Sequence, residues 1–226
     1  MNIAVCLSGT MRFHYKSLKV IQRLRVHHKV NVYIHTWKNV EDTIGNSWSH
    51  YVPTEPTDQL VYEYEPTSVK YDDWPTLREL FVEQVESWRK DCGLTTFTHY
   101  GMVGMWYSIH QSYIGVDPEK YDLILRLRFD CGFDNDPTMF HGPSWVIPEA
   151  VDFGGLNDQL GWFWINYYRP GITRETLDAY FGVYPKIGSL ISQGVEYSPE
   201  HLLKKSFDNV GIVPTRPLFK YTIHDD

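Results

Sequence analysis

A strand-like segment in the middle of the chain carries three charged side chains on one face. Apolar residues alternate along residues 121–130, so that Arg126, Arg128 and Asp130 fall on the opposite face. Charges on the face of a central strand are costly unless they are paired or used. A structural Arg–Asp pair and a site for a charged ligand are both compatible with this pattern. We favour the ligand site, because open α/β sheets bind ligands at the carboxyl ends of their strands.

Carboxylates cluster just beyond that segment, at Asp130, Asp134 and Asp136. Loop carboxylates can hold Mg²⁺ or Mn²⁺, which prefer oxygen ligands and bridge phosphates. The alternative is an acidic surface turn, which we favour for Asp134 and Asp136. For Asp130 we favour a metal ligand.

Further candidates follow in the second half of the chain. Gly154 and Gly155 permit a close backbone approach to a substrate. Asp158 either positions an acceptor hydroxyl or forms a turn. Glu200 lies in the first turn of a predicted helix, where the helix dipole favours a carboxylate and where a general base would be held firmly. His224 is either structural or a metal ligand.

The elements that must position these residues begin with a β-α-β unit. Residues 2–7 form an apolar run that ends in the turn Ser8-Gly9-Thr10, and helical spacing then continues to about residue 28. Alternation over residues 30–37 predicts the second strand, and this order is typical of a parallel sheet.

Periodicity and capping residues predict the remaining elements. Gly101 and Gly104 lie in the first turn of an apolar helical stripe and can let a ligand approach closely. Ser198 and Pro199 predict the start of a helix. The other predicted elements are a loop or lid at 38–59, a strand at 60–65, helices around 77–88 and 102–113, short strands at 145–148 and 162–167, a short helix at 173–181, and an extended tail from residue 211.

Composition restricts the class of protein. The chain has 226 residues, 42% of them hydrophobic, which indicates a globular fold. Its net charge of −7 argues against nucleic-acid binding and against docking on anionic membranes. We find no signal peptide and no apolar run of the ~20 residues that a membrane span needs. Three cysteines without a zinc spacing suit reduced thiols, so the sequence predicts a cytoplasmic protein.

Two motifs carry a resemblance to a known family. Residues 6–12 read C-L-S-G-T-M-R and residues 126–130 read R-L-R-F-D. In these motifs and in the order of its features, the chain resembles the GT-A class of nucleotide-sugar glycosyltransferases, and more closely small bacterial and viral members. The resemblance implies one domain over 1–226, with a mostly parallel, Rossmann-like α/β sheet flanked by helices. It also implies a nucleotide-sugar half at 1–130 and an acceptor and catalytic half at 131–226, in the cytoplasm of a bacterial or virus-infected cell.

The resemblance also implies a donor site. The class places its first strand and turn around the uridine and diphosphate, and it ends its fourth strand with D-x-D, whose last Asp binds a metal. Here Arg128 stands at the first Asp and can itself neutralise diphosphate charge. The implied metal ligands for Mn²⁺ or Mg²⁺ are Asp130 and His224. The implied donor-binding residues are Leu7, Ser8, Gly9, Thr10, Arg12, Arg128, Gly154 and Gly155.

The implied activity is transfer of a hexose from a UDP-sugar to an acceptor hydroxyl. Glu200 matches the acid that deprotonates the acceptor in inverting members, and Asp158 is the second catalytic candidate. Three alternatives stay open: a nucleotide-sugar-binding module without chemistry, a metal-dependent phosphate-transferring or hydrolysing enzyme, and a lectin-like or structural protein. A high aromatic content, 15% of the residues, is the only support for the last of these, and we favour an aromatic core as its explanation.

Overall fold

The computed structural model describes residues 1–40, 56–92, 100–133, 145–148, 155–156, 160–165, 174–217 and 219–223. Its strands are β1 (Asn2–Gly9), β2 (Lys29–Lys38), β3 (Ser68–Asp73), β4 (Leu123–Arg128), β5 (Trp145–Val146) and β6 (Gly161–Trp164). Its α-helices are α1 (Tyr15–His27), α2 (Asp58–Tyr62), α3 (Trp74–Cys92), α4 (Tyr100–Tyr113), α5 (Arg174–Phe181), α6 (Ile187–Ser192) and α7 (Pro199–Asp208).

The six strands form one sheet in the order β3-β2-β1-β4-β6-β5. The first four strands are parallel, whereas β6 runs antiparallel to β4 and β5 antiparallel to β6. This confirms the predicted α/β fold with a mostly parallel sheet. The chain leaves β1 towards β2 on one side and later returns to β4 on the other. The carboxyl ends of β1 and β4 therefore flank the switch point at which open α/β sheets bind ligands.

Apolar side chains cover both faces of the sheet. Leu7 and its alternate neighbours in β1 pack with Leu125 and Leu127 of β4 and with α1. The other face carries Cys6 and Ile124, which pack with α3, α4 and the helices that follow β6. Helices thus flank the sheet on both sides, as predicted. Within the described ranges, no helix combines the length and the apolar character that crossing a membrane would require.

Most elements predicted by periodicity are present. The unit β1-α1-β2 has the predicted order, and β4 places its leucines and its charges on opposite faces. The predicted cap of α7 is also correct, because Ser198 Oγ accepts a hydrogen bond from the backbone N–H of His201 at 3.2 Å. The short strands, α5 and the helices α3 and α4 lie where they were expected. The short helix α6 was not predicted.

The predicted strand at 60–65 is wrong. Residues 60–62 of that segment lie in α2, and residues 63–65 follow the end of this helix. Thr57 caps the helix, because its Oγ1 accepts from the Leu60 N–H at 3.2 Å. The third strand is instead β3, at the edge of the sheet. Its residues Ser-Val-Lys-Tyr-Asp-Asp are mostly polar and partly exposed, so it lacks the apolar pattern of a buried strand. Of the predicted loop at 38–59, residues 41–55 lie outside the described ranges.

Gly104 serves helix packing. A Cβ at this position would lie 2.6 Å from Cζ3 of Trp74, so the glycine lets α4 approach the start of α3. The close neighbour is therefore an indole ring of the protein, which corrects the expectation of a ligand at Gly104. A Cβ at Gly101 would have no neighbour within 4 Å among the described residues.

Candidate functional site

The carboxyl ends of β1 and β4 bring several predicted residues together. Ser8 is in register with His35 on β2 and with Arg128 on β4. Side chains in register on neighbouring strands point to the same face, so these three lie side by side. Arg12 reaches this edge from the turn after β1, and Asp130 follows β4 by two residues.

Arg12, Arg128 and Asp130 form a compact ion cluster, which we call the arginine cluster. Asp130 Oδ2 accepts from Arg12 Nε at 2.6 Å and from Arg128 Nη2 at 2.8 Å, and Oδ1 accepts from Arg128 Nε at 2.9 Å. The Asp130 side chain is 2% exposed, against 14% for Arg12 and 20% for Arg128. The structure thus brings together Arg12, Arg128 and Asp130, which come from two motifs distant in sequence.

The charges in the arginine cluster stay ionised. Burial by itself raises the pKa of the Asp130 carboxyl, but Arg128 and Arg12 outweigh burial through charge and hydrogen bonds and hold that pKa below its usual value. Arginine does not lose its proton in proteins. Two guanidiniums and one carboxylate leave the cluster with one net positive charge, so its electrostatics suit an anion.

The geometry of Asp130 does not fit a divalent metal. Both of its oxygens already accept from guanidiniums, and the nearest charges are cations that repel a metal ion. Among the residues that the structure describes, no group of three or more His, Cys, Asp or Glu side chains could hold a metal ion. The other predicted ligand, His224, lies outside these residues, so metal binding there stays a prediction.

The turn after β1 contains the other predicted donor-binding residues. The side chain of Leu7 is fully buried in the core on the face that packs with α1. Ser8 is 2% exposed, and its Oγ has no hydrogen-bond partner within the described part of the chain. Gly9 has φ +115°, a conformation that favours glycine, and its carbonyl accepts from Thr36 Oγ1 at 3.0 Å. Thr10 follows, and its carbonyl accepts from the N–H of Arg12 at 3.0 Å.

A second polar group lies on the other side of β1 and was missed in the sequence. Ser108 Oγ accepts from the Gly9 N–H at 3.0 Å and lies 2.7 Å from His35 Nδ1. His35 Nε2 lies 2.9 Å from Asp72 Oδ2, which also accepts from the Tyr107 hydroxyl at 2.8 Å. We call His35, Asp72, Tyr107 and Ser108 the histidine network. The only sequence signal for it is a serine within the apolar stripe of α4.

The protons of the histidine network can be assigned. Burial lowers the pKa of His35 to about 4, although Asp72 opposes the shift, so the imidazole is neutral at neutral pH. A carboxylate only accepts, so Nε2–H donates to Asp72 and Nδ1 accepts from the Ser108 hydroxyl. Ser108 in turn accepts from Gly9. The donated protons therefore all point the same way along the chain of hydrogen bonds, from the Gly9 N–H through Ser108 and His35 to Asp72. This chain of bonds fixes the turn after β1.

Glu200 lies at the start of α7, against Gly155. The Glu200 carbonyl accepts from the Leu156 N–H at 3.0 Å. A Cβ at Gly155 would lie 2.3 Å from the Glu200 carbonyl carbon, so only glycine fits there. The backbone that approaches Gly155 is thus that of Glu200, and the predicted contact between Gly155 and the donor stays a prediction.

Several predicted site residues lie outside the described ranges. Their roles stay predictions: donor contact for Gly154, acceptor contact for Asp158, metal binding for His224, and an acidic surface turn for Asp134 and Asp136.

Comparisons with known proteins give distant structural similarity. No protein-family model matches the chain, and no curated protein matches it. Among solved structures, it is similar to mouse xyloside xylosyltransferase 1 in its apo form, at 9% identity over 97% of this chain and 85% of that one, with a TM-score of 0.39. It is also similar to the galactosyltransferase LgtC in complex with donor and acceptor sugar analogs, at 8% identity over 90% of this chain and 69% of that one, with a TM-score of 0.40.

Proposed function

We propose that the protein transfers a hexosyl group from a UDP-sugar to an acceptor hydroxyl with inversion at the anomeric carbon. The observation that carries this proposal is the arginine cluster at the switch point between β1 and β4. Two guanidiniums with a net positive charge suit a diphosphate, and parallel α/β sheets bind nucleotides at this edge. The motifs at 6–12 and 126–130, which resemble GT-A glycosyltransferases, contribute Arg12 and Arg128 themselves.

The proposed step breaks one bond and forms another. The acceptor oxygen forms a bond to the anomeric carbon while the bond from that carbon to the diphosphate oxygen breaks, which releases UDP. Glu200 takes the proton of the acceptor hydroxyl. Its carboxylate is favoured in the first turn of α7, and the contact with Gly155 fixes its backbone. In this proposal Asp158 orients the acceptor, and Ser8, Gly9, Thr10 and Gly154 contact the donor.

Replacement of the proposed base tests this function. We expect Glu200→Gln to lower the rate of UDP release from the active UDP-hexose by about 10²–10⁴-fold, since general-base catalysis contributes that much. The Kd for UDP, measured by calorimetry, should change by less than about twofold, because the base does not contact the nucleotide. A panel of UDP-hexoses with candidate hydroxyl acceptors identifies the active pair.

Glu196→Gln is the matched control. Glu196 precedes the same helix, is exposed, and lies 3.8 Å from His201 Nε2, so this variant should keep wild-type turnover. Wild-type turnover in Glu200→Gln would remove Glu200 from the mechanism. UDP binding by the wild type without turnover of any donor would indicate a nucleotide-sugar-binding module instead.

A further inference from the structure

We propose that Arg12 and Arg128, in place of a divalent cation, neutralise the diphosphate of the donor, and that Asp130 positions the two guanidiniums. This inference rests on the proposed function and specifies how its donor site handles charge. It assigns Asp130 a positioning role where a metal ligand was expected from the sequence.

Exposure within the arginine cluster is the first argument. Asp130 is buried beneath the two arginines, whose side chains retain several times its exposed fraction. A ligand that arrives at this edge of the sheet therefore meets guanidinium before it meets carboxylate. An anion can contact the guanidiniums while both keep their bonds to Asp130, whereas a metal ion at Asp130 would lie beside two cations that repel it.

Charge gives the second argument. A metal ion that replaced the guanidiniums at Asp130 would lie beside two displaced cations, and that repulsion opposes binding. A diphosphate gains attraction from both arginines while each keeps its bond to Asp130.

Preorganisation gives the third argument. The two bonds from Arg128 to Asp130 fix the plane of its guanidinium, and a fixed fork suits bidentate contact with phosphate oxygens. Ser8 is in register with Arg128 and has a buried hydroxyl without a partner in the described ranges. Buried hydroxyls are normally hydrogen-bonded, and an anion at this place would accept from Ser8 Oγ.

Calorimetry on the wild-type protein tests the inference without any substitution. Inorganic pyrophosphate and UDP are titrated in EDTA and, separately, in Mn²⁺. We expect both to bind in EDTA, and UDP to bind with a Kd that Mn²⁺ changes by less than about threefold, because the arginines already supply the positive charge. Binding in Mn²⁺ alone would overturn the inference.

The two proposals fail in different ways. If pyrophosphate binds in EDTA but UDP binds no tighter, the inference about the anion site stands and the proposed UDP-sugar function falls. If neither binds in either buffer, the inference about the anion site is overturned as well. UDP that binds only with Mn²⁺ leaves the glycosyltransferase function in place and removes the arginines from the charge-neutralising role.

Lysine variants locate the site. Arg12→Lys and Arg128→Lys keep the charge but lose the guanidinium fork, and we expect each to weaken pyrophosphate binding in EDTA by about tenfold or more. Arg89→Lys is the matched control, because Arg89 is exposed and pairs with Glu86 of its own helix at 3.5 Å. Unchanged pyrophosphate affinity in both cluster variants would place the anion elsewhere.

Asp130→Glu tests the positioning role at constant charge. The longer side chain moves the carboxylate and therefore both guanidiniums. In the otherwise wild-type protein, we expect Asp130→Glu to weaken pyrophosphate binding by about fivefold or more. In a protein that also carries Arg12→Lys and Arg128→Lys, the same substitution should weaken binding by less than about twofold. A purely structural role would give equal losses in both backgrounds, which would contradict positioning. Rescue of Asp130→Glu by Mn²⁺ would instead indicate a metal ligand.

Discussion

Two polar groups flank β1 at the same edge of the sheet, and each contains one ionised carboxylate. In the arginine cluster, Asp130 is paired with two permanent cations, so the group carries one net positive charge. In the histidine network, Asp72 accepts from a neutral imidazole and a phenol, so the group carries one net negative charge. Lys70, an exposed side chain 3.9 Å from Asp72, partly offsets that charge.

This difference in net charge gives the two groups different roles: the arginine cluster suits a bound anion, and the histidine network supports the backbone. A diphosphate is attracted to the arginine side of β1 and repelled from the histidine side. The histidine network nevertheless contributes, because its bond from the Gly9 N–H to Ser108 Oγ holds the turn on which the proposed donor site depends. One carboxylate therefore organises charge for a ligand, while the other organises backbone. Variants of the arginine cluster and of the histidine network test this division of roles.

Removal of the Asp130 charge should destabilise the fold strongly. Asp130→Asn leaves two largely buried guanidiniums without their counter-ion, and loss of one partner of a buried ion pair typically costs about 3–5 kcal/mol. Urea unfolding measures this free energy. The control is Asp208→Asn, which removes an exposed pair with Lys204 and should cost less than about 1 kcal/mol. Similar costs for both variants would mean that the arginine cluster is not held by its buried acid.

Acidification should destabilise the histidine network. The pKa of His35 is about 4 in the folded protein and near 6.5 when exposed, so between these values the unfolded chain binds a proton that the folded chain does not. The free energy of unfolding therefore falls as the pH drops through this window, by about 3 kcal/mol in total from His35 alone. The lowered pKa of Asp72 adds a further loss at still lower pH.

Comparison with a variant that lacks the imidazole isolates the contribution of His35 to the pH dependence of the free energy of unfolding. Urea unfolding at several pH values is compared between the wild type and His35→Asn, which cannot titrate. The difference between the two curves should slope only between pH 4 and 6.5. Parallel curves would show that the pKa of His35 is the same in the folded and the unfolded protein, which would contradict an imidazole held neutral by burial between pH 4 and 6.5.

Loss of the Ser108 hydroxyl should give a smaller effect. Ser108→Ala leaves the Gly9 N–H without its acceptor, which should cost about 1–3 kcal/mol. Ser112 is a matched control one turn later in α4, also buried, whose hydroxyl donates to the Ile109 carbonyl of its own helix. Ser112→Ala should cost less than about 0.5 kcal/mol, because such bonds within a helix add little. Thermal unfolding compares the two, and equal losses would mean that Ser108 does not support the turn.

The sequence correctly predicted those strands and helices whose residues follow one clear hydrophobic or capping pattern. The strands β1, β2 and β4 are buried or alternate strictly, and α7 begins with an unambiguous cap. The edge strand β3 was not predicted, since a partly exposed polar strand has no such pattern. Thr57 instead caps a helix in a segment whose apolar and aromatic residues suggested a strand.

The candidate site could be predicted in part. The position of Arg128 and Asp130 at a strand end follows from alternation. The pairing itself does not, because Arg12 and Asp130 lie in two motifs that only the sheet register joins. For the same reason, the histidine network has no sequence signature beyond a serine within the apolar stripe of α4, since His35, Asp72 and Ser108 come from three elements.

The contact between Gly155 and Glu200 has a consequence for how such a protein can diversify. Backbone packs against backbone there, so the place of the proposed base depends on the absence of a side chain at position 155 as well as on the hydrogen bond from the Leu156 N–H to the Glu200 carbonyl. Any side chain at position 155 would displace the Glu200 backbone, so substitutions that alter the acceptor are confined to other positions if the proposed base is to keep its place. Acceptor preference can therefore evolve, or be engineered by library selection, with the base held at a fixed point.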